Sequence, residues 1–193
     1  MPAGDVSFDM VREHMHEIPQ LPLPAPYRFR TYRDGDEATW LSVQRAAEPI
    51  IPMPDDFFQR QFGAHLDALP GRMFFVEDAE GRVAGTITAW WEHDRQDANG
   101  RGRIHWVAVH PDYQRRGLAK PMMTHAMNRL AQEYRRAMLG TSSSRVWAVK
   151  VYLDFGFRPD PAQLNDPAIA GAWRALQAQL QHPALADLAA LRG

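Results

Sequence analysis

Trp106-Val107-Ala108-Val109-His110-Pro111-Asp112-Tyr113-Gln114-Arg115-Arg116-Gly117-Leu118-Ala119 decides how this chain is read. Residues 104–109 are apolar enough for a buried strand, with His105 the interruption. Pro111 closes it, a polar turn follows, and a helix begins at a cluster of small residues. The first N–H groups of a helix have no partner inside it, and the macrodipole adds about half a positive charge there. Gly117 and Ala119 let a bulky ligand approach the backbone, and Arg115 and Arg116 put formal charge beside it. That is the physics of a phosphate cradle. The plainer reading is a strand–turn–helix with two solvated arginines, and for this short motif alone the two weigh the same. Glycines are too few for a dinucleotide fingerprint, and no Gly-Lys-Ser/Thr follows for a nucleotide-hydrolysing loop.

Downstream, Leu118, Met122, Ala126 and Leu130 recur every fourth residue and mark a long helix with one buried stripe. Pro121 falls in its first turns, where a missing N–H costs little. Ala137-Met138-Leu139 reads as a short strand, 146–153 as a helix and Phe157-Arg158 as the start of a last strand. From Pro161 the chain is rich in Ala, Leu and Gln, giving one or two helices with Trp173, Leu176 and Leu180 on one face. Upstream, 73–76 and 83–90 flank Asp78-Ala79-Glu80-Gly81 as a β-hairpin. Residues 27–32 alternate as a strand. Asp34 with Glu37 resembles a capping box ahead of Trp40, Leu41 and Val43, and Asp55-Asp56 start a second helix carrying Phe58 and Phe62. Phe8, Val11, Met15 and Ile18 fall at helical spacing, after which Pro19, Pro22, Pro24 and Pro26 favour extended backbone. Pro19-Gln20-Leu21-Pro22 fits the PxxP pattern, for which a stiff tether is a simpler reading than a ligand for a proline-binding module. The organisation expected is an arm over 1–26, one domain over 27–160 and a helical tail over 161–193. The order β-α-α-β-β-β-α-β-α-β gives an α/β (α+β) fold, a mixed sheet with helices on both faces.

The 193 residues suit one domain of the usual ~100–200 residues. With 45% apolar and 23% charged residues the chain can bury a real core. Lys and Arg number 22 against 23 Asp and Glu, so nothing electrostatic points to nucleic acid. No apolar run approaches the roughly 20 residues of a membrane helix, and Met1-Pro2-Ala3-Gly4-Asp5 does not open a signal peptide. The cytoplasm is the expected location. Cysteine is absent, which removes disulfides, thiolate metal sites and an acyl-cysteine intermediate. His14 and His16 do not share a helix face and the other histidines are scattered, so no metal is expected.

Gln114-Arg115-Arg116-Gly117-Leu118-Ala119 resembles the Arg/Gln-x-x-Gly-x-Gly/Ala signature of the GNAT superfamily of N-acetyltransferases. Ala148-Val149-Lys150-Val151-Tyr152-Leu153-Asp154-Phe155-Gly156-Phe157 resembles its second signature, Ala-x-x-x-Tyr-x-x-x-Gly-Phe. One long helix and one strand separate the two, as in the family, and the resemblance covers 27–159. Arg145 stands where many members carry Asn. The resemblance implies a mostly antiparallel central sheet flanked by helices, with acetyl-CoA as co-substrate. It implies that the backbone at Gln114, Arg115, Arg116, Gly117, Leu118, Ala119 and Lys120 holds the diphosphate, while Val107, Ala108 and Val109 line the pantetheine arm. It makes Tyr152 the general acid for the leaving thiolate, a role suited to a phenol of pKa near ~10. The plain alternative is a half-buried core tyrosine. The stripe of Trp173, Leu176 and Leu180 either packs on the domain or forms a homodimer contact, and dimers being common in the family favours the second.

Amine acylation also needs a base. His105, with an unperturbed pKa near ~6.5, is the candidate, set equally against a core histidine with a satisfied hydrogen bond. Family members often hold the base two residues away, where Arg103 stands on the same strand face, and an arginine cannot serve. Glu92, His93 and Asp94 follow in the next loop. Residues 48–62 and 90–102 are expected to shape the acceptor site. Their carboxylates (Glu48, Asp55, Asp56, Glu92, Asp94, Asp97) outnumber their arginines, which favours a cationic small-molecule or peptide amine. The reading is direct acetyl transfer in a ternary complex. Its alternatives are a non-catalytic acyl-CoA-binding module and an acyltransferase using a longer acyl-CoA.

Overall fold

The computed structural model describes residues 4–95 and 100–186. In it seven strands form: β1 (Ser7–Arg12), β2 (Arg28–Thr31), β3 (Met73–Glu77), β4 (Val83–Trp91), β5 (Gly102–Val109), β6 (Ala137–Ser142) and β7 (Arg158–Pro159). The α-helices are α1 (Glu37–Ala47), α2 (Phe57–Phe62), α3 (Ala119–Leu130), α4 (Val146–Asp154) and α5 (Pro167–Leu180). Strand order is β2-β3-β4-β5-β6-β1-β7. β2/β3, β3/β4, β6/β1 and β1/β7 are antiparallel, and β5 on β6 is parallel. The fold is the expected mixed α/β class, a mostly antiparallel open sheet flanked by helices.

The chain divides into two compact units, with β5 running from one into the other. The unit of Pro19–Trp90 and Ile104–Gln132 contains the hairpin and α3. Phe29 of β2 lies opposite Val76, and Phe75 of β3 opposite Thr86. His110 N–H donates to Ala84 O at 2.9 Å beyond the end of β5. Met122, Ala126 and Leu130 of α3 are fully buried, the stripe that the four-residue spacing gives. The proline-rich run is strapped to that helix. Thr124 Oγ1 donates to Pro19 O at 2.7 Å, and Gln20 and Asn128 exchange amide bonds at 2.9 and 3.0 Å. The capping box is corrected: α1 begins at Glu37 after Asp36, whose carboxylate takes Arg30 and the Arg33 N–H instead of capping. Residues Gly63–Gly71, read as no element, form 3-10 turns.

The other unit is drawn from Met1–Ile18, Trp91–Arg103 and Glu133–Gly193. Here the helix expected from Phe8, Val11, Met15 and Ile18 is absent among the described residues, and Ser7–Arg12 is a strand. Phe8, Met10, Val11 and Arg12 are all buried, and the strand wins over the four-residue spacing because β1 has a strand on each side. Met10 lies opposite Leu139 of β6 and Pro159 of β7. The last strand, expected from Phe157, is two residues long, so β1 supplies much of the sheet beyond β6. On α5, Trp173 and Leu176 are buried and the Trp173 ring packs 4.4 Å from Phe8. The stripe offered for a homodimer is mostly spent on the chain's own core. Residues 187–193 of the expected tail lie outside the described residues.

Candidate active site

The turn between β5 and α3 is held by side chains that leave the backbone donors of its second half, from Arg115 on, unused. Gln114 Nε2 donates to Val109 O at 3.3 Å, folding the first residue of the motif back onto the strand end. Tyr113 OH donates to Asp78 Oδ2 at 2.7 Å across to the hairpin turn. Asp78 is buried and also accepts from Arg82 N–H, Arg82 Nε and Glu80 N–H at 2.9, 2.8 and 3.1 Å. The Tyr113 hydroxyl and then Arg82 hold the Asp78 carboxyl well below the usual carboxylate range, against its desolvation. Leu118, 2% exposed, pins the far end of the turn in the core.

Between these anchors Arg115 (φ +61°) and Gly117 (φ +78°) are both left-handed, alternating with Arg116. Such alternation gathers successive N–H groups into a concavity for an anion. Among the described residues, the N–H groups of Arg115, Arg116, Gly117, Leu118 and Ala119 reach no protein acceptor. A Cβ on Gly117 would meet nothing within 4 Å, so the space over the turn is open. Arg116 Nη1 donates to Tyr27 OH at 3.2 Å, and its guanidinium lies 5.1 Å from the Tyr113 ring. Arg115 and Lys120 are exposed. Five free donors, a helix start and three cations fit a diphosphate.

Of the remaining β5 residues, Ala108 is buried and Val107 and Val109 are half-buried. Trp106 is the surprise, with φ +47° in mid-strand. A left-handed residue inside a strand re-aims the neighbouring side chains. The His105 and Trp106 rings, which alternation would send to opposite faces, stand 5.5 Å apart. Gln44 Nε2 donates to Trp106 O at 3.0 Å and to Thr86 Oγ1 at 2.8 Å, and Trp106 Nε1 donates to Gln61 Oε1 at 3.0 Å. His105 is half-buried, its ring 5.9 Å from Phe62. Sequence reading missed the left-handed Trp106, Gln44 and Gln61, because neither Gly nor Pro marks the position.

The acidic excess counted in the two wall segments does not stand free. Asp55 pairs with Arg45 at 2.8 Å, Asp56 with Arg60 at 2.7 Å and Glu92 with Arg101 at 3.6 Å. Glu48 and Asp94 have partners too, and Asp97 lies outside the described residues. Arg103 is half-buried opposite Met138 of β6.

In the other unit, Tyr152 is half-buried on α4, its ring 6.4 Å from Phe157. Burial pushes its phenol up to about 12, against a small opposing effect of Arg145. The helix ends at Asp154, and beyond its cap Gly156 (φ +79°) turns the chain so that Phe157 N–H returns to Tyr152 O at 3.0 Å. Arg12 of β1 donates to the carbonyls of Phe155, His14 and His16. A Cβ at Gly156 would stand 2.6 Å from Arg12 Nη1, which explains the glycine of the second signature. Asp5 ties down the start of α4, accepting from Ser144 N–H at 2.9 Å and Ser143 Oγ at 3.1 Å. Among the described residues no three His, Cys, Asp or Glu are grouped to hold a metal. No helix among them is long and apolar enough to cross a membrane.

Comparison with known proteins bears on the family and the fold. The sequence model of the Acetyltransferase (GNAT) family matches residues 15–157. A mycothiol acetyltransferase of Streptomyces griseus subsp. griseus is 30% identical over 140 residues, 70% of this chain and 44% of that protein. Its counterpart in Streptomyces coelicolor is 28% identical over 146 residues, 73% and 46% respectively. This chain thus spans about half the length of the curated relatives it matches. The fold is shared with a GCN5-related N-acetyltransferase from Sphaerobacter thermophilus, TM-score 0.66 at 18% identity over 81% of this chain and 48% of that one.

Proposed function

The chain belongs to the GNAT acetyltransferase family, and on that premise we propose that it moves an acetyl group from acetyl-CoA directly to an amine, in the cytoplasm. One observation carries the reading: the five N–H groups from Arg115 to Ala119 that no protein acceptor takes. They hold the coenzyme's diphosphate, with Gln114 fixing the turn and Arg115, Arg116 and Lys120 adding charge. The backbone of Val107, Ala108 and Val109 lies along the pantetheine arm.

Both substrates are bound together. The amine nitrogen bonds to the thioester carbonyl carbon, the C–S bond breaks, and coenzyme A leaves as the thiol. His105 takes the proton that the amine loses, and Tyr152 gives its phenolic proton to the departing sulfur. With its pKa raised to about 12, Tyr152 keeps that proton throughout the neutral range. The absence of cysteine favours direct transfer over a cysteinyl relay.

Calorimetry with coenzyme A and acetyl-CoA, followed by thiol release with a panel of amines, tests the reading. Binding of both with turnover of acetyl-CoA is the expected result. Binding without turnover of any amine would identify a non-catalytic coenzyme-binding module, and no binding would end the proposal.

A further inference from the structure

The acceptor's chemistry is written in the surroundings of Trp106. A large aromatic residue at positive φ is uncommon and is kept only where its neighbours over-determine it. Here they do: Gln44 holds the Trp106 carbonyl and Gln61 holds the indole N–H. The strained backbone brings the indole beside His105, the residue read above as the base.

The Phe57 ring, from the start of α2, meets the indole edge-on at 5.2 Å. Trp40 beneath both is fully buried, whereas Phe57, Trp106 and His105 each keep part of their surface open. The open indole therefore adjoins the imidazole, and the open Phe57 ring adjoins the indole. On the same segment Asp55 and Asp56 are tied to Arg45 and Arg60, so no unpaired carboxylate of that pair is left to attract a second positive charge.

We propose that the acceptor is a primary amine carried on an aromatic or similarly flat apolar group, which packs on Phe57 and Trp106 beside His105. This rests on the acetyl-transfer reading. It narrows the cationic amine that the carboxylate count favours to one carrying a flat apolar group. Ring–ring contact gives selectivity over an aliphatic chain of about tenfold.

The test compares thiol release from acetyl-CoA with phenylethylamine, hexylamine and putrescine, using the whole chain. The expected result is kcat/KM about tenfold higher for phenylethylamine than for hexylamine, with putrescine slowest. In Phe57→Leu that ratio should fall to about threefold or less, the loss appearing in the KM for phenylethylamine rather than in kcat. Hexylamine or putrescine matching phenylethylamine in the unsubstituted protein would overturn the proposal while leaving acetyl transfer standing. If acetyl-CoA binds but none of the three amines releases thiol, the acceptor proposal is overturned, while acetyl transfer is decided separately by the wider amine panel. Should Phe57→Leu fail to fold, the unsubstituted protein's ratio alone decides.

Discussion

Tyr152 and Gly156 lie four residues apart in one signature and answer to different demands. Gly156 is a backbone requirement: at φ +79°, with Arg12 2.6 Å from where a Cβ would stand, any side chain is both strained and crowded. Gly156→Ala should destabilise the protein by about 1–3 kcal/mol, read from urea unfolding. Tyr152 is a chemical requirement under the proposed mechanism. Tyr152→Phe should lower kcat by at least ~10-fold, with the KM for acetyl-CoA little changed. Equal turnover in both proteins would remove the phenol from the reaction. Since burial raises its pKa to about 12, its ionisation should add no basic limb to the pH–rate profile below pH ~10. At this scale the two signatures were readable because glycine and tyrosine are named by position. The left-handed Arg115 and Trp106 were not, since their φ angles come from packing around them rather than from residue type.

Among the elements, the turn ahead of α3 depends on a hairpin far away in sequence. Asp78, in the β3–β4 turn, receives the hydroxyl of Tyr113, and the Tyr113 ring underlies the Arg116 guanidinium. Asp78→Asn weakens that support and should raise the KM for acetyl-CoA about threefold to tenfold with a smaller change in kcat. The same carboxylate gives a signed pH effect. Its folded pKa is depressed below that of an ordinary aspartate, so its contribution is present above about pH 4 and is lost as pH falls through the folded pKa. The melting-temperature difference between the native protein and Asp78→Asn should therefore be largest near neutrality and shrink in strong acid. A difference independent of pH would show that the charge on Asp78 is not what matters. Hairpin, α3 and α4 were legible because their periodicities are unambiguous over their lengths. β1 was not: Phe8, Met10 and Val11 satisfy two periods at once over six residues, and only its partners β6 and β7 select the strand.

For the whole molecule, the order of elements was enough to give a mixed sheet with helices, and the two signatures were enough for the family. Which strands lie side by side was not, because β1 enters the sheet between β6 and β7, far from its sequence neighbours. The same packing settles α5. Its apolar stripe looked available for a second copy, yet Trp173 and Leu176 are consumed within the chain. The acceptor proposal likewise rests on the Trp106 and Phe57 rings rather than on a count of carboxylates, because Asp55 and Asp56 carry arginine partners.

The most direct test follows the backbone amide resonances of Arg115, Arg116, Gly117, Leu118 and Ala119 while coenzyme A is titrated into the labelled protein. These five should move first and furthest, and Gly117→Val should weaken binding by about tenfold or more by filling the open space above the turn. Saturation by coenzyme A with those five resonances unmoved would contradict the account at its base.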